Sequence, residues 1–282
     1  MSIRQLFVMI FLFPAGAAKA EVSARTQPFS GISYYAETRT SPPQLLFVAE
    51  VDLQNPKVHL KVAPGGPDPD GDGKWETTLM PPTEIAAREH FDLVINGDFF
   101  DANQVKDAEG AAARYRPGQW ASVIGTAVTD GKAWATSQVA RPCLVVHRDG
   151  HVTIEPLTTP PMDGQEVIGG NVMLVQDGKN VAPANNKALH PRTVVGLDAG
   201  GRKLTILVVD GRLPGIAIGM SYADLAREMI RLGCTQALNL DGGGSSLLAV
   251  RNAATGRMKI VNLPTDGRER AVAEVLGVNV DR

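Results

Sequence analysis

Residues 237–246 read Ala-Leu-Asn-Leu-Asp-Gly-Gly-Gly-Ser-Ser. A short apolar run stops at a carboxylate, and three glycines and two hydroxyls follow at once. Without Cβ atoms, a backbone can take positive φ and approach a ligand closely. Successive N–H groups in such a turn can converge into an anion-binding nest. The segment asks for a buried strand that delivers Asp241 and the donors of Gly242, Gly243, Gly244, Ser245 and Ser246 to one strand end. A single glycine run would read as a solvated turn. Here three further segments repeat the design: Asn96-Gly97-Asp98-Phe99-Phe100 after Val94-Ile95, Pro191-Arg192-Thr193 before an apolar run, and Asp210-Gly211-Arg212 after Val208-Val209.

The rest of the chain is cut into similar short pieces. Apolar or alternating runs at 32–38, 45–53, 58–62, 92–95, 122–128, 143–147, 193–197, 204–209, 236–240, 247–250 and 275–280 have strand length. Gln54-Asn55-Pro56 suggests a hairpin between 45–53 and 58–62. Residues 198–201 suggest another, between 193–197 and 204–209. Residues 21–30 are polar and read as a loose arm. Ser221 opens the clearest helix, with Asp224 at capping-box spacing, Leu225, Met229 and Leu232 on one face and Gly233 at its end. Thr83 is expected to cap a shorter helix over 84–90. Many strands with few helices predict an α+β fold: a mixed, largely antiparallel sheet in a single compact domain.

Residues 1–20 carry an early Arg4, an apolar stretch from Leu6 to Phe13 and Ala18-Lys19-Ala20, the order of a secretory signal peptide. Its apolar run is far short of the roughly 20 residues of a spanning helix. The expectation is export to the periplasm or medium, a domain over 21–282, and no membrane segment after cleavage. A net charge of −2 gives no reason to expect nucleic acid as a partner. The two cysteines, Cys143 and Cys234, sit in apolar surroundings and lean towards free thiols, although pairing stays open.

Side chains alternate along a strand, so Asn96 and Asp98 can share a face, as can Asn239 and Asp241. Arg192 and Arg212 suit bidentate contact with a phosphodiester or carboxylate. In chain order, Asn96 to Phe100, Pro191 to Thr193, Val209 to Arg212, Gly219 to Ala226 and Asn239 to Ser246 resemble the phosphodiester glycosidase family. The family pattern spans about 90–280. The resemblance implies hydrolysis of a sugar-1-phosphodiester at the anomeric carbon. It implies Asp241 as the principal carboxylate, Asp210 as the second candidate and Asp98 as an additional one, standing where many members carry Gly. Asn96, Arg192, Thr193, Arg212, Asn239 and residues 242–246 are then the expected substrate-binding set, with a carbohydrate phosphodiester as partner.

No cofactor is required by this chemistry, and a divalent cation, Ca2+ or Mg2+, stays open. Asp68, Asp70 and Asp72 open like a calcium loop, but Leu79 occupies the twelfth position where a bidentate Glu belongs, so a surface turn is expected. Two other functions fit the same residues. One is a metal-assisted phosphodiesterase cleaving P–O. The other is a non-catalytic polysaccharide-binding or export accessory protein.

Overall fold

A computed structural model of the protein describes residues 20–106 and 112–282. The expected export leader therefore falls, but for Ala20, outside the described residues. Among the described residues every strand pairing is antiparallel, so the sheet is not mixed, and there are two α-helices, Pro82–Glu89 and Tyr222–Arg231. No helix among them is long and apolar enough to cross a membrane.

The largest sheet has nine strands. At its centre Arg192–Leu197 lies between Lys203–Val209 and Gln236–Asn239. The first of these pairings is the hairpin expected from residues 198–201. A five-stranded sheet places Leu93–Asn96 between Leu248–Arg251 and Glu274–Val280. One core cluster joins the two sheets: Phe47, Val195, Ile206 and Leu238 from the first meet Val62, Ile95, Leu248 and Leu276 from the second. Val194, Leu207 and Ala237 point the other way and pack beneath Tyr222–Arg231, against Leu225 and Met229. Val94, Ala249 and Val275 do the same beneath Pro82–Glu89, against Ile85 and Ala86. Central strands are thus covered on both faces, which is why they read as unbroken apolar runs rather than alternating ones.

Several local expectations change in this frame. Residues 45–53 and 58–62 do not form a hairpin. Pro43–Asp52 pairs with Ile32–Thr40 and Lys203–Val209, whereas Val58–Pro64 pairs with Glu274–Val280. The Asn55-Pro56 turn carries the chain from one sheet to the other. The polar arm is ordered as two strands, Ala20–Val22 and Thr26–Phe29, added to the edge of Ile32–Thr40. Ser221 caps its helix as expected, its Oγ accepting from Asp224 N at 3.2 Å. Thr83 does not cap the first helix. Pro81 is the cap, and the Thr83 backbone N–H and hydroxyl donate to Glu269 at 3.0 and 2.5 Å. Cys143 and Cys234 are buried free thiols, pushed up by burial to about 12 and about 11.

Gly277 shows how closely the second sheet is packed. A Cβ there would enter the ring of Phe91, which is fully buried. Gly277→Ala should destabilise the protein by about 1–3 kcal/mol, the usual cost of overpacking. The check is a lower urea midpoint at unchanged slope.

Candidate active site

The strand ends of the two sheets meet at one place. Asp241 N donates to Gly97 O at 3.0 Å, Leu240 N to Thr193 O at 2.9 Å and Gly243 N to Pro191 O at 2.9 Å. These bonds lock the 96–98, 191–193 and 239–246 segments together. Asn96 is their common tie. Its Nδ2 donates to Asp241 O at 2.8 Å, and its Oδ1 accepts from Thr193 Oγ1 at 2.7 Å and Leu247 N at 3.1 Å. Asn96 and Thr193 are fully buried, and these bonds engage their side chains within the protein.

Gly242, Gly243 and Gly244 each face a guanidinium-bearing residue. A Cβ on Gly242 would lie 3.6 Å from Arg192 Cδ, and one on Gly243 would lie 3.2 Å from Arg212 Nη1. A Cβ on Gly244 would collide with Arg270 Nη2. Gly243 also has φ +63°, a conformation that favours glycine. Gly243 and Gly244 thus leave room for Arg212 and Arg270, while Gly242 makes room for the Pro191 carbonyl, which a Cβ would approach to 2.7 Å. Arg192 is held over the Tyr222 ring at 4.1 Å, with its Nε donating to Met220 O at 3.4 Å. Arg212 donates to His190 Nδ1 at 3.1 Å. Burial and the charges of Arg212 and Arg192 push His190 down, which keeps its ring neutral and able to accept. Arg270 is fixed by Asp266 at 2.8 Å and lies over the Tyr115 ring at 4.2 Å.

Beside these cations lie three carboxyl groups. Burial raises Asp241 to about 6, while the Ser245 hydroxyl, the Gly242 N–H and the charges of Arg270 and Arg192 draw it back. Its Oδ1 accepts from Gly242 N at 2.7 Å. Burial raises Asp98 to about 7 against the pull of the Phe99 and Gly125 N–H groups, and the charge of Asp241 pushes it further up. Asp98 Oδ2 accepts from Gly125 N at 2.7 Å, in a niche where a Cβ on Gly125 or Gly169 would strike it. Glu274 is buried, and burial followed by the charge of Asp98 holds it well above the ordinary carboxylate range. Its Oε1 accepts from Asp98 N at 3.0 Å, and its Oε2 has no partner among the described residues.

Not every expected residue joins this cluster with a free side chain. Asp210, raised by burial to about 6, accepts from Asn262 Nδ2 at 2.9 Å and Leu263 N at 2.8 Å, so both of its oxygens are taken. Asn262 in turn donates to Ser246 O at 3.1 Å, making Asp210 a brace for the end of the glycine turn. Asn239 Nδ2 donates to Asn171 Oδ1 at 2.9 Å and Leu240 O at 2.6 Å, while Asn171 donates to Tyr222 Oη at 3.0 Å. Ser245 and Ser246 are buried, and neither hydroxyl has a partner within hydrogen-bond geometry among the described residues.

Glu274 and Arg270 were not anticipated. A charged residue opening the apolar run 275–280 was the available signal for Glu274. Nothing in the sequence around Arg270 distinguishes it from its charged neighbours. Among the described residues, no group of three or more His, Cys, Asp or Glu side chains is arranged to hold a metal ion. The acidic loop turns its carboxylates onto its own backbone: Asp68 Oδ1 accepts from Asp70 N at 3.0 Å and Gly71 N at 2.8 Å.

Comparisons with known proteins follow the same outline. A curated relative, the SPbeta prophage-derived protein YomE of Bacillus subtilis, is 38% identical over 90 residues, covering 32% of this chain but 13% of that protein. The catalytic domain of zebrafish N-acetylglucosamine-1-phosphodiester alpha-N-acetylglucosaminidase, auto-inhibited by its pro-peptide, superposes with a TM-score of 0.61 at 18% identity. That match covers 95% of this chain and 85% of the other. A hypothetical protein from Synechocystis gives 0.65 at 14% identity over 95% of this chain and 64% of that one. At such identities the structural matches establish the fold. The sequence profile of the phosphodiester glycosidase family matches residues 90–279, two thirds of the chain and every segment of the site just described, and the chain belongs to that family.

Proposed function

We propose that this protein is an exported hydrolase that cleaves the glycosidic C–O bond of sugar-1-phosphodiesters, such as N-acetylglucosamine-1-phosphodiesters of surface glycans. The support is one juxtaposition: the interacting carboxyls Asp98 and Asp241 beside three guanidinium groups around a glycine turn. The order of charge, apolar core and small residues in 1–20 supports export.

In this proposal Arg192, Arg212 and Arg270 hold the phosphate and stabilise charge gathering on it as the C–O bond breaks. Asp241, the lower of the two carboxyls, is ionised and either activates water or attacks the anomeric carbon. Asp98, the higher, holds its proton below about pH 7 and donates it towards the bridging oxygen. A phosphate leaving group is a weak base, so this assistance can be modest. Asn96, Thr193, Asn239 and Asp210 act as positioning residues.

The pair needs one proton between them. Turnover should rise as Asp241 ionises near pH 6 and fall as Asp98 ionises near pH 7, giving a narrow bell between the two. A flat profile from pH 5 to 8 contradicts this assignment. The decisive experiment is incubation with a panel of sugar-1-phosphodiesters and mass spectrometry of the products. A free reducing sugar plus a phosphomonoester is expected. A sugar-1-phosphate would mean P–O cleavage, and binding without turnover an accessory role.

A further inference from the structure

A groove of about 920 Å³ opens beside the glycine turn, and Arg114, Tyr115, Arg116, Asp266, Arg268 and Arg270 are among its walls. Arg270 belongs to both places: its guanidinium lies against Gly244 and over the Tyr115 ring. The acids of the groove are already engaged. Asp266 pairs with Arg270 at 2.8 Å, and Glu269 accepts from Thr83. Arg114 and Arg268 are exposed and form no ion pair among the described residues. Among the described residues lining the groove, four arginines stand against two carboxylates.

Tyr115 holds φ +58°, and its ring meets Phe100 edge-on at 5.8 Å while Arg270 covers it. A non-glycine residue in that region costs on the order of 1–3 kcal/mol and persists only where its surroundings fix it. The groove wall is therefore held in place, with Arg114 and Arg116 carried on either side of the fixed residue.

We propose that this groove binds the leaving-group side of a polyanionic glycan, a chain in which phosphates repeat, so that the phosphate next after the scissile one meets Arg114 and Arg268. The proposal rests on the glycosidase function above. The scissile phosphate already has Arg192, Arg212 and Arg270. The remaining guanidinium groups lie further along the groove, and a guanidinium matches phosphate oxygens in bidentate geometry.

The test compares two substrates of one sugar-1-phosphate: its methyl ester, and its ester with a glycerol-phosphate trimer. The wild-type protein should prefer the trimer, and high salt should erase the preference, since exposed charges are screened. In Arg114→Gln/Arg268→Gln, kcat/KM for the trimer ester should fall ~10-fold or more, with the methyl ester unchanged. No loss on the trimer, or an equal loss on both, overturns the proposal. If the wild-type protein cleaves neither ester, the glycosidase function fails. The groove is then judged by titrating the free glycerol-phosphate trimer into wild type and double variant. A similar loss of affinity upholds an anion groove, and equal affinities overturn it.

Discussion

Asp241→Asn should lower kcat by ~10²–10⁴-fold, the usual worth of a positioned general base, and by more if Asp241 is the nucleophile. Melting temperature should stay level or rise. The exchange keeps the side chain's size. The amide Oδ1 can still accept from Gly242 N, the bond now at 2.7 Å. What disappears is a charge held in a place that resists it. Burial raises the folded-state value of Asp241 to about 6 from an ordinary 3.8. Between those values the folded protein holds the proton more tightly than the unfolded chain. The group's contribution to stability therefore falls as pH rises from about 4 to about 6, and above that range the ionised carboxylate is a net cost. Asn carries no such cost at pH 7. A carboxylate that only capped the turn would behave in the opposite way, losing on the order of 1 kcal/mol of stability at nearly constant rate. Rate and melting temperature measured on the same variant separate the two roles.

The sequence exposed those parts of the site whose chemistry is local. Gly242 to Gly244 beside Asp241 are legible because glycine lets the backbone crowd against the Pro191 carbonyl, Arg212 and Arg270. The guanidinium partners themselves are only half legible. Arg192 and Arg212 sit in glycine- or proline-flanked strand ends, whereas Arg270 is placed by Asp266 and the Tyr115 ring. Glu274 reaches Asp98 through strand register: Val275 is paired with Asn96, and Glu274 Oε1 accepts from Asp98 N. Register of this kind is a long-range property with no local marker. The same limit explains the wrong hairpin. A turn at Asn55-Pro56 looks alike whether the next strand returns to its own sheet or crosses to another. Asp210-Gly211 shows a third case. Asp-Gly after an apolar run signals a turn or a site, but both carboxylate oxygens go to residues more than fifty positions away.

Asn96→Ala should be among the most damaging single changes in the protein, and its damage should be structural first. The side chain is fully buried and ties three segments, donating to Asp241 O and accepting from Thr193 Oγ1 and Leu247 N. Truncation strands a hydroxyl, an N–H and a carbonyl in the interior. Each such group costs about 1–3 kcal/mol when left unpaired. Partial relaxation and water entry make the sum on the order of 3–5 kcal/mol, a large share of the roughly 5–15 kcal/mol that holds an ordinary domain together. Turnover of the remaining folded protein should also fall, because the bond to Asp241 O fixes the carboxylate at the start of the glycine turn. Asn96→Asp refines the test. A carboxylate there can still accept from Thr193 and Leu247, but it cannot donate to Asp241 O. It also adds a negative charge beside Asp241, so the rising limb of the pH–rate profile should move to higher pH. If Asn96 instead oriented sugar hydroxyls, Asn96→Ala would raise KM at a nearly constant melting temperature.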